Sequence, residues 1–220
     1  KALRQLSADY PEFDAIVHDF IKTDPLARYR RRIDIERLKR TATGYMLYIS
    51  HDMGGGTKRH LDDMSRLLRL EDCHTIYLMP EKDAWIKLVS MDIDIHARYN
   101  LDESGDLEAL IEDLNAVGVF HLHIHSTIGF VEDDFIWQLA EQLGVAYDVT
   151  IHDYQTICPR VNLAASKGKY CGEPTVRACD VCILKHGTYP ASNLERLYQD
   201  VETVAGWRRY FEDKLQKARK

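Results

Sequence analysis

Residues 45–56 read YMLYISHDMGGG, a short apolar run followed by polar residues and three glycines. An apolar run of this length is expected of a strand that is buried on both faces. Leu61, Met64, Leu67 and Leu68 come next, at the spacing of one helix face. The stretch therefore predicts a buried strand, a glycine loop and an amphipathic helix, which is the first half of a β-α-β unit.

The same alternation continues along the chain. Apolar runs predict strands at 75–79, 119–124 and 145–151, and residues 85–99 supply one or two more. Residues with helical spacing lie between these runs, and a long helix is predicted from a capping box at Ser192. We therefore expect an α/β fold with a Rossmann-like, doubly wound, mostly parallel sheet.

The region before the first strand has a different pattern. Residues 1–43 contain no strand-like run and are interpreted as a helical lead-in or linker, whereas residues 44–220 form the Rossmann-like domain. Because the chain begins with Lys1 and not with methionine, we expect it to be a piece of a longer protein.

Composition excludes some classes of function. The 29 basic residues are outnumbered by 35 acidic ones, for a net charge of -6, which argues against a general nucleic-acid binder. No apolar run is long enough to span a bilayer, and no apolar core follows the first residues as it would in a signal peptide. We expect a cytoplasmic protein, with at most a peripheral association with the inner face of the membrane.

Polar residues follow three of the predicted strands. They are the glycine loop Gly54, Gly55 and Gly56, then His125, then His152 with Asp153. In doubly wound sheets ligands bind beyond the carboxyl ends of the strands, so these residues are the candidate site. The loop is either a phosphate contact or a plain tight turn, His152 is a hydrogen-bonding or acid-base group, and Asp153 either faces the site or caps the next turn.

Three histidines alternate on one predicted strand. His121, His123 and His125 share a face, and three imidazoles on one face are one way to bind zinc. The alternative is that His121 and His123 are hydrogen-bonded core residues, with His125 alone near a cleft. We favour the second interpretation because inner strands of such sheets are covered by helices.

Four cysteines fall in one loop-like stretch with the spacing C-x12-C-x7-C-x2-C. The C-x2-C pair is typical of half a zinc site, and four thiolates would close a structural site. Reduced thiols or an iron–sulfur cluster are the alternatives. The residues are Cys158, Cys171, Cys179 and Cys182.

The segment HDYQTICPRVNL at 152–163 resembles a signature of bacterial family-4 glycosyltransferases, including the Gly-x-Tyr-Cys-Gly turn at 168–172 and the C-x2-C that follow it. The glycine loop with His60 is similar to the first strand-loop-helix of that family. Residues 123–126 and 207–211 are similar to its middle strand and to a late helix. Together the similar segments span residues 44–220.

The resemblance implies the N-terminal half of a GT-B enzyme, which binds a glycan or glycolipid acceptor. A C-terminal domain of the same parent chain, expected beyond Lys220, would grip the nucleotide-sugar donor. The resemblance also implies that the glycine loop approaches the donor diphosphate, that His152 contacts the donor sugar, that transfer retains anomeric configuration, and that no catalytic metal is needed. The alternative function is a non-catalytic Rossmann-like interaction module stapled by zinc.

Overall fold

The computed structural model describes residues 2–130, 132–164, 168–172 and 174–218, and within them helices and strands alternate as the sequence predicts. The strands are β1 (Tyr45–Ile49), β2 (His74–Pro80), β3 (Trp85–Ser90), β4 (Arg98–Asn100), β5 (Val119–Ile124) and β6 (Tyr147–Val149). The helices are α1 (Ala2–Asp9), α2 (Phe13–Thr23), α3 (Ala27–Thr41), α4 (Gly55–Leu70), α5 (Asp106–Ala116), α6 (Asp133–Leu143), α7 (Val176–His186), α8 (Ser192–Val201) and α9 (Val204–Lys217).

The six strands form one mixed sheet in the order β4-β3-β2-β1-β5-β6. β1 is parallel to β2 and β5, and β6 is parallel to β5. β3 and β4 extend the sheet in antiparallel fashion beyond β2. The α/β class and Rossmann-like arrangement are confirmed, whereas the prediction of a mostly parallel sheet holds only for β1, β2, β5 and β6. The short connection between β2 and β3 explains the difference, because a parallel crossover needs a dozen or more residues.

The two faces of the sheet pack against different helices. Tyr45, Leu47 and Ile49 of β1 belong to the large core that includes residues of α3, α5, α6, α8 and α9. Tyr48 belongs instead to a smaller cluster with Leu61 of α4. Because alternate residues of a strand point to opposite faces, α4 covers one face of the sheet, and α3, α5, α6, α8 and α9 cover the opposite face.

This arrangement creates a switch point in the sheet. The chain leaves β1 through α4 to reach β2 on one side, and β5 later returns to pair with β1 on the other side. The crevice between the carboxyl ends of β1 and β5 is the place where open α/β sheets bind ligands. The fold therefore points to the same edge that the sequence singled out.

Two terminal segments differ from the simplest expectation. The long helix predicted from Ser192 is two helices, because Glu202 adopts a left-handed conformation with φ of 60° and ends α8. Thr203 then caps α9 by accepting a hydrogen bond from the amide of Gly206. Within the predicted lead-in, α3 packs Ile35 and Leu38 into the main core.

The loop after β5 is held by one buried amide side chain. Asn193 of α8 is 1% exposed. Its Nδ2 donates to the carbonyl oxygen of Thr127 at 2.9 Å, and its Oδ1 accepts from the amide of Gly129 at 3.2 Å. Asn193 thereby fixes the backbone that continues from His125.

We expect Asn193→Ala to lower the free energy of unfolding by about 2 to 4 kcal/mol, because it leaves two backbone groups of this loop without partners. Urea denaturation followed by circular dichroism would measure the change. Asn115→Ala, at an exposed position of α5, is the matched control and should change stability little. Equal effects of the two substitutions would show that the Asn193 hydrogen bonds do not hold this loop.

Candidate functional site

The predicted site residues meet at the carboxyl edge of the parallel strands. The glycine loop follows β1, His125 comes directly after β5, and His152 follows β6. The amide of His125 donates to the carbonyl oxygen of Ile49 at 2.8 Å, which ties the end of β5 to the end of β1. His125 and His152 are in direct contact, and the glycine loop leads into the helix that reaches both of them.

The glycine loop has a backbone that only glycine adopts easily. Gly54 and Gly55 have φ values of 73° and 75°, and α4 begins at Gly55. No atom lies within 4 Å of the Cβ position at either residue. The glycines are therefore required by the backbone conformation, and the space beside them is open at a helix N-terminus, where anions are favoured.

The basic residues after the glycines are already paired. Lys58 forms a salt bridge with Asp62 at 2.8 Å, and Arg59 lies 3.8 Å from Asp63, both with i,i+4 spacing on α4. Lys58 and Arg59 therefore stabilise the helix. Any anion at this loop would depend mainly on backbone amides.

The histidines of β5 form a ladder with the segment that includes β6. His121 Nε2 lies 3.0 Å from an oxygen of Asp148, and His123 Nε2 lies 2.7 Å from the hydroxyl oxygen of Thr150. His121 and His123 are therefore hydrogen-bonded, as the second interpretation expects, and neither belongs to the group of side chains at metal-ligand spacing among the described residues.

The third rung of the ladder joins two candidate site residues. His125 Nδ1 lies 3.0 Å from His152 Nε2, and the two rings are nearly parallel with centroids 5.2 Å apart. His125 is 4% exposed, whereas His152 is only half-buried. The pair therefore reaches from the core to the surface of the cleft.

His60 is the site residue that sequence reasoning did not assign. It lies on α4, and its ring meets those of His125 and His152 edge-on, with centroids 5.7 and 5.0 Å away. A signal was present, because His60 immediately precedes Leu61 and lies one turn before Met64 on the face that packs against the sheet. That face was interpreted as purely apolar.

Burial favours the neutral form of His125 and His152. Loss of solvent, together with the neighbouring rings of His123, His152 and His60, which oppose a second positive charge, lowers the pKa of His125 to about 2. Burial also lowers the pKa of His152 and of His51. Around pH 7 these side chains are hydrogen-bonding and metal-ligating groups and not cations.

Asp153 has a local structural contact. Its Oδ1 accepts a hydrogen bond from the amide of Gln155 at 2.7 Å, which is the turn-capping geometry weighed as the alternative. The Gln155 side chain in turn donates to the hydroxyl of Thr127 at 2.7 Å. A direct role for Asp153 in ligand binding stays a prediction.

The segment after His152 is anchored by α9. The indole nitrogen of Trp207 donates to the carbonyl oxygen of Gln155 at 2.6 Å, and Arg208 donates to that of Ile157 at 2.9 Å. These bonds explain why residues 207–211 and the segment after β6 belong to one unit. They also connect the histidine cluster to the cysteine-rich region.

The four cysteines line a single cavity of about 230 Å³. All are free thiols of intermediate exposure, and burial raises the pKa of Cys158 and of Cys179. Cys158 donates to the carbonyl oxygen of Asn162, at 3.0 Å from Sγ. The sulfurs converge on one cavity, but they are not gathered to the spacing of metal ligands.

Side chains at the spacing of metal ligands occur among the histidines. In the part of the chain that the structure describes, His60, His125 and His152 are the one group of three or more His, Cys, Asp or Glu side chains at that spacing. One nitrogen of each ring lies within 4.8 Å of the others.

Comparison with known proteins gives no match. No family model, no curated protein and no solved structure matches this chain. Among the described residues no helix is both long and apolar enough to cross a bilayer.

The buried His125 predicts how stability changes with acidity. Above about pH 6.5 His125 is neutral in both the folded and the unfolded state and contributes no pH dependence. Below that pH His125 is protonated in the unfolded chain but stays neutral in the folded chain. Its contribution therefore lowers the free energy of unfolding by about 1.4 kcal/mol for each pH unit of acidification. The loss continues toward the folded-state pKa of about 2.

We expect His125→Gln to reduce the slope of unfolding free energy against pH by about one proton between roughly pH 6 and pH 4. Chemical denaturation at several pH values would measure both slopes, and their difference removes the background of carboxylates common to both proteins. His96→Gln, at an exposed position, is the control that should keep the wild-type slope. Identical slopes for His125→Gln and the wild type would contradict the expected burial of a neutral imidazole.

Proposed function

We propose that this chain is the acceptor-side domain of a glycosyltransferase, which moves a sugar from a nucleotide-sugar to a glycan or glycolipid acceptor. The observation that carries the proposal is the contact of His125 with His152 at the switch point of a Rossmann-like sheet, at the edge where the glycine loop follows β1. The resemblance of residues 152–163 to family-4 glycosyltransferases supplies the reaction class. A GT-B partner domain is part of the proposal.

The glycine loop is suited to a diphosphate. Gly54 and Gly55 keep side chains away from the start of α4, so a ligand oxygen is free to approach the backbone amides there. Because Lys58 and Arg59 are engaged by carboxylates of the same helix, the attraction comes from amide dipoles. The contact would therefore be modest unless a second domain adds charge.

The histidine pair is suited to a sugar. The contact with His125 uses Nε2 of His152, which leaves its Nδ1 to donate to or accept from a sugar hydroxyl. His152 is half-buried at the mouth of the cleft, and His125 supports it from behind at 3.0 Å. We assign sugar contact to His152 and a positioning role to His125.

Transfer would need a second domain. The advantage of a transferase comes from positioning the reactants and stabilising developing charge, and both need donors on more than one side of the reacting centre. The site described here is one wall of a cleft. We infer that the donor nucleotide is gripped mainly by a C-terminal domain of the same parent protein, while the acceptor rests on this one.

The cysteine-rich region has a structural role in the proposal. We propose that Cys158, Cys171, Cys179 and Cys182 bind one structural zinc ion, because all four border one cavity and the loop carrying them has little apolar material of its own. Metal binding would draw the sulfurs closer together and order this loop. The same staple on a non-catalytic interaction module is the alternative function, and the binding of donor or acceptor discriminates between the two.

The transfer proposal predicts a division between activity and stability. In the full-length parent, His152→Ala should reduce the transfer rate by about 100-fold or more, since it removes a contact to the reacting sugar, while the melting temperature changes little. His186→Ala, an exposed histidine at the end of α7, is the control. Unchanged turnover in His152→Ala would remove this residue from the site.

The isolated chain should bind nucleotide-sugars weakly and transfer nothing. Isothermal calorimetry with UDP-, GDP- and dTDP-sugars is the measurement, and a micromolar dissociation constant would show that the donor side had been assigned to the wrong domain. The interaction-module alternative is favoured if neither these donors nor glycan acceptors bind.

The proposed zinc site at the cysteines predicts that zinc content and thermal stability fall together. Cys179→Ser should lower both the zinc content, from about one ion per chain at these cysteines, and the melting temperature, because three thiolates hold zinc more weakly than four. Elemental analysis and thermal denaturation would measure the two effects, with Cys73→Ser as the control outside the cluster. A chain purified with no metal at the cysteines, and with a melting temperature insensitive to Cys179→Ser, would contradict the staple.

A further inference from the structure

The three histidines at the carboxyl edge come from three separate elements. His60 projects from α4, His125 follows β5 and His152 follows β6, yet one nitrogen of each lies within 4.8 Å of the others. Side chains from elements so far apart in sequence are brought to one point only by the tertiary fold. Three imidazoles at one point form a typical ligand set for a transition metal.

The spacing of one pair is already close to that of ligands on a metal. In a tetrahedral zinc site with Zn–N bonds of about 2.0–2.1 Å, two ligand nitrogens are about 3.3 Å apart. His125 Nδ1 and His152 Nε2 are 3.0 Å apart. These two nitrogens share one proton in this structure, and both would turn their lone pairs to one ion when that proton is released. A nitrogen of His60 lies within 4.8 Å of both side chains' ligand atoms.

His125 is not satisfied by the protein alone. Its Nδ1 shares a proton with His152, and its Nε2 is buried with no hydrogen-bond partner among the described residues. Neither neutral tautomer of His125 therefore pairs both nitrogens within the chain. Buried polar atoms in structural networks nearly always have a partner, so His125 does not belong to a fully satisfied structural network.

Neighbouring histidines show what a purely structural role looks like. His121 and His123 lie on the same strand and face, and each hydrogen-bonds an oxygen of Asp148 or Thr150. His123 also stacks on His125, with ring centroids 4.2 Å apart, but its Nε2 is occupied by Thr150. His60, His125 and His152 instead bring one nitrogen of each within 4.8 Å of the others. Packing imidazoles together in this way has a clear purpose if a shared cation lies between them.

We propose that His60, His125 and His152 form a binding site for one divalent transition-metal ion of the zinc class. Three protein ligands leave the fourth tetrahedral position to a water molecule or to an oxygen of a bound ligand. His60 lies on α4, the helix that begins at Gly55 of the glycine loop. The proposal does not depend on glycosyl transfer and is separate from the cysteine site.

The test uses Zn²⁺ and Co²⁺ with the complete chain carrying Cys179→Ser and Cys182→Ser, which removes most thiolate binding. Co²⁺ should give visible d–d bands without a thiolate charge-transfer band in the near ultraviolet. Zn²⁺ should raise the melting temperature, because it binds the folded chain and cross-links α4 to the sheet edge. His60→Gln and His152→Gln should each weaken Zn²⁺ affinity, measured against a competing chelator, by at least about tenfold.

The matched control is His121→Gln, which changes a histidine of the same strand outside the cluster and should keep the affinity of its parent. Circular dichroism checks that each variant is folded, and two independent variants guard against the loss of one. Absence of Co²⁺ d–d bands, or an affinity unaffected by both His60→Gln and His152→Gln, would overturn the proposal. Acceptor binding by this chain and transfer by the parent protein are measured separately, so a chain that binds Zn²⁺ while neither of these is seen would refute only the proposed function.

Discussion

The parallel pairing of β1 with β2 on one side and β5 on the other is the constraint on which the site depends. β1 is buried on both faces, so it has no freedom to shift, and its carboxyl end fixes where the glycine loop begins. The amide of His125 hydrogen-bonds the carbonyl of Ile49, which sets β5 to the same level. Backbone pairing therefore fixes where the polar groups of the site lie, independently of any contact between their side chains.

A second set of contacts holds the loops that follow β5 and β6. Asn193 holds the loop after β5, Gln155 joins that loop to the segment after β6, and Trp207 holds Gln155 from α9. Each link is a buried or half-buried hydrogen bond to a side chain, and each therefore costs free energy if it is left unmade. The region between His152 and the cysteines has little regular structure, and these links take the place of a strand or helix.

Much of the architecture was predictable because it follows from periodicity. The run at 45–50 and the apolar faces of α4 and α5 identify buried elements wherever they lie in the sheet. Periodicity did not predict the antiparallel edge of the sheet, since the pattern of a strand does not tell which neighbouring strand it pairs with. It also failed at Glu202, where a single left-handed residue divides an otherwise continuous helical pattern.

The candidate site was predictable in part for a similar reason. Residues that follow strands can be found in the sequence, and His125 and His152 do meet. His60 lies inside a helix, so its approach to them depends on how α4 crosses the sheet, and sequence spacing carries no such information. The same limit applies to Asp153, whose direction is decided by a local turn.

The histidine ladder also fixes how the last strand is aligned. β6 is only three residues long and lies at the edge of the sheet, where a short strand has little hydrophobic pattern to prevent slippage. Three rungs join His121, His123 and His125 to residues 27 positions further along the chain, in the order carboxylate, hydroxyl, imidazole. A slip of two residues toward the carboxyl end of the chain would preserve the sheet face. It would, however, place a hydroxyl opposite His121 and leave His125 with no imidazole as partner. The alignment of this edge therefore depends on the hydrogen bonds of these side chains and not on apolar alternation.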